Sequence, residues 1–263
     1  MILALFIILF LLMLIVGGNR GLDSFFALVK TILAMIVNIY LISFGLPAIP
    51  VTLCVSILFA GIVLYMQNGI NQKMHAAAIA VGLVVIIITL AAGPVLLKAG
   101  ISGYNEIEQY EEISMYLSSD LSISMGSVAL AATVLGLLGA VMDTAVAITT
   151  AVNEVYVNNP ALSERKLFQS GLNIGKDILG TTVNTLFFAG LGECIMLAVL
   201  FLRNDDSFAT VINSKSLFQE ISGILIGGIG CLLIIPLSSL IMSKMLKGNL
   251  KENIYKYIKK NGG

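Results

Sequence analysis

LAATVLGLLGAVMDTAVAITTAV, residues 130–152, decides how this chain is read. It is apolar and glycine-rich, and it holds one carboxylate, Asp143, near its midpoint. About 20 mostly apolar residues cross a bilayer as a helix. An acid at the centre of such a helix costs about 2.5–3.5 kcal/mol on insertion scales. A chain that keeps one uses it for a proton, an ion or a structural partner inside a bundle.

The rest of the chain matches that segment. It is 58% hydrophobic and 11% charged, where soluble domains carry about 25% charged residues. The fold class is therefore all-α: a polytopic transmembrane helical bundle surrounded by lipid. A net charge of zero gives no electrostatic footprint for nucleic acid. Cys54, Cys194 and Cys231 are far apart in apolar segments. With no CxxC or Cys/His cluster, they suggest neither a metal site nor a disulfide framework. No cofactor motif is present. An intramembrane protease needs a Ser–His pair within the spans or HExxH, and the lone histidine, His75, falls in a short loop. The expectation is a non-enzyme.

Hydropathy and helix breakers predict about seven spans in a single transmembrane domain, residues 1–263. They are expected at 2–16, 24–44, 51–66, 76–97, 125–155, 178–202 and 221–242. The run 2–16 has no basic residue before it and no small-residue cleavage site after it, so it reads as an uncleaved span. The loop between Lys98 and Asp120 is acidic. Arg20, Lys73, Arg165, Lys166, Lys176 and the tail lysines fall in alternate loops, which places those loops and the C-terminus in the cytoplasm. Residues 244–260 have apolar positions at helical spacing among lysines. That suits a cytoplasmic amphipathic tail on the anionic inner leaflet or a solubilising stop-transfer segment.

At 100° per residue, Ala132, Gly136, Gly139, Ala140, Ala147, Thr150 and Glu154 share the face of Asp143. Val134, Leu138, Val141, Ala145, Ile148 and Val152 lie opposite. Small residues allow close approach of helices in lipid, so the small face is expected to pack inward with Asp143. In the sixth span Ser170, Asn173, Asp177, Thr181 and Asn184 share a face beside Gly180. The simplest arrangement sets the two polar faces together, with Asp143 among Thr and Asn side chains. Glu154 and Asp177 would form its cytoplasmic opening, and Gly223 with Gly227 would mark another close helix contact. Lys30 is either a counter-ion for Asp143 or a cation snorkelling to the surface. Asp143 itself is read as a proton or ion carrier, as an interhelical hydrogen-bonding group, or as a substrate contact.

The segments GLLGAVMDTAVAITTAVNEV (136–155) and SGLNIGKDILGTTVNTLFFAGLGE (170–193) resemble the two signature stretches of the YibE/F family. The resemblance covers roughly the last two-thirds of the chain. It implies a multi-pass protein of the bacterial cytoplasmic membrane whose partner is a homologous subunit or a second copy. A looser similarity extends to one half of the resistance-nodulation-division and SecD/SecF transporters, through Asp143, Glu154, Arg165/Lys166, Thr181/Thr182, Phe218 and Pro236. That likeness implies proton coupling through Asp143 and transport of a small solute. The chain departs from the pattern by having one Asp in place of a pair, and half the usual set of helices.

Overall fold

Glycine decides where this chain reverses and where its helices touch. The computed structural model describes residues 1–98 and 124–248, and the helical backbone onward to residue 261. The acidic loop between Lys98 and Asp120 lies outside the described residues, as do the side chains of the tail beyond Gly248.

Helix α1 (Ile2–Ser43) has 42 residues. A straight helix of that length would run about 63 Å, twice the ~30 Å hydrocarbon core. The chain avoids this at Gly18, where φ is 56° and ψ −133°, a conformation that strains any residue with a Cβ. The reversal lays the rings of Phe6 and Phe10 against Phe25, with centroids 5.1 and 4.7 Å apart. Gly21 then sits on the Met13 carbonyl with no room for a side chain. Two of the expected spans, 2–16 and 24–44, are thus the arms of one folded-back element.

The remaining elements are α2 (Ala48–Asn68), α3 (Gln72–Lys98), α4 (Met125–Asn158), α5 (Glu164–Arg203), the short α6 (Phe208–Ile212) and α7 (Lys215–Asn261). Among the described residues, six helices are long and apolar enough to cross a membrane, with α1 counted once and α6 excluded. The α1 hairpin packs mainly on α2, joined by a buried hydrogen bond of 3.2 Å from the Thr52 hydroxyl to the Asn38 side-chain oxygen.

Helix α7 is the axis of the bundle, packed against α3, α4 and α5. Val84, Val85 and Ile88 of α3 meet Leu138, Val141 and Ala145 of α4 and Cys231 and Ile234 of α7 in one core. A second cluster joins Ile148 and Val152 of α4 to Leu167 of α5 and Ile235 and Met242 of α7. Helices α5 and α7 approach closely at a Gly-x-x-x-Gly pair absent from the sequence reading: Gly171 sits against Ser239 and Val152, and Gly175 against Ile235. Four buried hydroxyls of α4 and α7 are satisfied by their own helices, whereas the buried Ser56 hydroxyl of α2 has no hydrogen-bond partner. Ser238 and Ser239 donate to the Ile234 and Ile235 carbonyls at 2.6 and 2.7 Å, and Thr144 and Thr149 to Ala140 and Ala145 at 2.8 Å. Hydrocarbon provides no water for these groups, so the carbonyls one turn back serve instead. At the far end of α7, the Lys247 ammonium donates to the Pro160 carbonyl at 2.9 Å and lies 5.3 Å from the centre of the Tyr156 ring.

A Cβ at position 175 meets the branched, stiff Ile235 side chain, whereas one at position 180 meets nothing within 4 Å. Gly175→Ala should therefore cost about 1–3 kcal/mol through overpacking, and Gly180→Ala should leave stability unchanged or slightly higher. Thermal unfolding of the two detergent-solubilised variants, followed by helical circular dichroism, checks the contrast.

Candidate functional site

The packing of α4 settles where Asp143 points, and it reverses the expected orientation. Val134, Leu138, Val141, Ala145, Ile148 and Val152 are all 2% exposed or less. The branched face of α4 is the one buried against α3 and α7. The small face turns outward: Ala132, Gly136, Gly139, Asp143, Ala147 and Glu154 are exposed, and Ala140 and Thr150 are half-buried. A Cβ added at Gly136 or Gly139 would meet nothing within 4 Å. The close contact expected on this stripe is therefore not made within the chain. Branched side chains prevail because they fill a core to high density, which glycine and alanine cannot do.

The polar face of α5 follows the same pattern. Asn173, Asp177, Thr181 and Asn184 are exposed, and so is Gly180. Packing at the glycines fixes the antiparallel register of α4 and α5: Gly171 meets Val152, while Gly227 of α7 touches both Leu137 and Leu186. By that register, Asp143 lies level with Gly180 and Thr181, Ala147 with Asp177, and Thr150 with Asn173. These residues share one outer face of the bundle, but their side chains do not close over Asp143. Thr181 donates to its own helix at Ile178, and Thr185 at Thr181, both at 2.8 Å. The Lys30 ammonium is 3.1 Å from the Met66 sulfur, in the last turn of α2, and not at Asp143. His75 shares a 2.8 Å hydrogen bond between its Nδ1 and the Tyr65 hydroxyl.

The outward stripe begins in a cleft. Ala132, Thr133 and Gly136 of α4 form one wall, with Gly190 and Glu193 of α5 and Gln219, Glu220, Gly223 and Gly227 of α7 around them. The cleft holds about 290 Å³. Gly223 is open and lines it, whereas Gly227 touches Leu186 and Leu137, so the expected Gly223/Gly227 contact divides into a wall and a packing point. Glu193 and Glu220 face the same space, where their charges repel. Glu193, within the sixth expected span, lines this cleft. Glu220 was missed altogether. Its signal was an acid three residues before Gly223 and seven before Gly227, on the glycine face of an apolar run.

A row of carboxylates thus follows one side of α4. Glu193 and Glu220 stand at one end, Asp143 lies about 10 Å further along from Gly136, and Glu154 about 16 Å beyond Asp143, at 1.5 Å per residue. Asp177 lies on the neighbouring helix level with Ala147, one turn from Asp143 on the Glu154 side. Among the described residues, no group of three or more His, Cys, Asp or Glu is placed to hold a metal ion.

The YibE/F-like protein family matches residues 5–248, nearly the whole chain. The chain belongs to that family. The match extends well before Gly136 and takes in the residues of the α1 hairpin and α2 as well as the two signature helices. Neither the curated proteins nor the solved structures contain a match to the chain.

Two carboxylates across one small cleft destabilise each other when both are ionised. Glu220→Gln removes one of the two charges and should raise thermal stability at pH 8 over that of the wild type. Melting curves of both detergent-solubilised proteins at that pH test this.

Proposed function

We propose that this YibE/F-like membrane protein is a subunit of a proton- or cation-coupled transport system in the bacterial cytoplasmic membrane. Asp143 is its coupling carboxylate, and a small solute its cargo. The observation that carries the reading is the carboxylate row, running from the Glu193/Glu220 cleft through Asp143 to Glu154 on the outward small-residue face of α4.

Dehydration favours a neutral carboxylic acid and hydration favours its anion. A carboxyl group alternately covered and opened to water therefore takes up a proton on one side and releases it on the other. Glu193 and Glu220 would gather cations or protons at one end of the row, and Glu154 and Asp177 at the other. The half-buried Thr150 and the exposed Asn173, Thr181 and Asn184 would line the path between them. An acid facing lipid at this depth is costly. The face bearing Asp143 is therefore taken as the one a homologous subunit, or a second copy, covers. The bare glycines at positions 136, 139 and 180 leave space for a partner helix to approach closely.

The same face supports a second reading, a non-transporting assembly subunit in which Asp143 only docks a partner helix. Asp143→Asn separates the two, because the amide keeps the shape and hydrogen-bonding capacity but cannot cycle a proton as the acid does. A deletion strain is complemented with wild type or Asp143→Asn at matched membrane levels, and solutes are profiled in cells and medium. The coupled reading expects Asn to reproduce the deletion profile while the protein remains folded and assembled. Full restoration by Asn would sink it and favour the assembly role.

A further inference from the structure

A second opening lies on the other flank of the Asp143 stripe, away from the carboxylate cleft. The second arm of α1 meets α4 near Ile42, which packs with Ala48 and Ala131. Towards the Gly18 reversal the two separate, leaving a groove of about 610 Å³ among α1, α2 and α4. Its walls are mainly apolar, with Met35, Phe59, Leu135 and Met142 among them. The volume is within the ~300–1,000 Å³ typical of sites that take one small molecule.

The length of the groove identifies the class of ligand. Along α1 the lining runs from Ser24 to Met35, a rise of about 16 Å, close to one leaflet of a ~30 Å hydrocarbon core. Spread over that length, the volume accommodates a hydrocarbon chain.

The charge is also asymmetric. Of the polar lining residues, Ser24 and Gln67 lie toward the reversal end, and Thr31 about two turns further along α1. Arg20 is one helical turn before Ser24 on the same face and is exposed. The Lys30 ammonium is placed against the Met66 thioether at 3.1 Å, beside Gln67. A thioether is a weak acceptor, so this cation retains most of its capacity for an anion. Arg20 and Lys73 mark this end as cytoplasmic by the positive-inside bias, the side where anionic lipids give the membrane its negative surface potential.

We propose that this groove binds one acyl chain of an anionic phospholipid from the inner leaflet, with Arg20 and Lys30 at its headgroup. The proposal does not depend on the transport reading. The bound chain fills the gap between the α1 hairpin and α4, against Met35, Phe59 and Met142.

The protein contains no tryptophan, which allows single-tryptophan reporters. Phe59→Trp places one in the groove wall. Leu90→Trp places one on α3 at a position 71% exposed, outside the groove. Each variant is reconstituted into phosphatidylcholine vesicles containing a small fraction of brominated phosphatidylglycerol or of brominated phosphatidylcholine, and fluorescence quenching is measured. The expected result is that the groove reporter, Phe59→Trp, samples brominated phosphatidylglycerol at about tenfold or more above its bulk fraction, as two nearby cations imply. The outer reporter, Leu90→Trp, should follow the bulk composition. Adding Arg20→Gln and Lys30→Gln should return the groove reporter to bulk behaviour. Equal quenching of the groove reporter by the two lipids overturns the proposal. So does quenching of the outer reporter with none in the groove, which would mean that protein covers the groove.

Discussion

The close approach of α5 to α7 at Gly171 and Gly175 is the contact on which the rest of the bundle depends. Without side chains there, the α5 backbone comes up against Ile235 and Ser239 of α7. Helix α7 is thereby held at the centre, and α3 and α4 can pack on its remaining sides. Hydrocarbon supplies little hydrophobic drive between helices, so dispersion in close packing decides which faces meet. The branched face of α4 makes more of those contacts than its small face. That choice turns Asp143, Gly136 and Gly139 outward.

The orientation gives the molecule two kinds of unfilled space, one on each flank of the small stripe. One flank is the cleft that holds Glu193 and Glu220. The other is the apolar groove beneath the α1 hairpin. Gly136 lines both. Anything that moves α4 relative to α5 or α1 alters the surroundings of Asp143 from one side or the other. The hairpin is the element best suited to such movement, because it is attached mainly through α2 and its first arm is largely exposed. Carboxylates in lipid need water, a counter-charge or a partner surface, and this architecture offers space for each without closing over Asp143.

Much of the fold was legible because bilayer physics is restrictive. Spanning segments must be long and apolar, and they must bond their own backbone internally. Hydropathy alone therefore found α2, α3, α4, α5 and α7, and the breaker at residues 17–21 separated the arms of α1. The signature segments around Asp143 and Asp177 pointed to the YibE/F family, to which the chain belongs. The site was less legible. Small residues mark a close approach but do not say to what, so the stripe from Gly136 to Thr150 was assigned to an internal contact that the branched face makes instead. The real internal glycine pair, Gly171 and Gly175, was passed over because its polar neighbours Asn173 and Asp177 drew the reading to the other side of α5. Glu220 was overlooked because it stands just before the expected span 221–242, and only the packing of α4, α5 and α7 turns it toward Glu193.

The amino-acid sequence by itself determined the class of molecule, the approximate spans and the unusual presence of an acid at mid-bilayer, because each follows from transfer energetics acting on one helix at a time. Only the tertiary structure decided which face of each helix is inside. That choice depends on comparing packing across all neighbouring helices at once, and a single helix carries no record of its neighbours. The outward direction of Asp143, the pairing of Glu193 with Glu220 and the groove under the folded-back α1 all follow from that comparison.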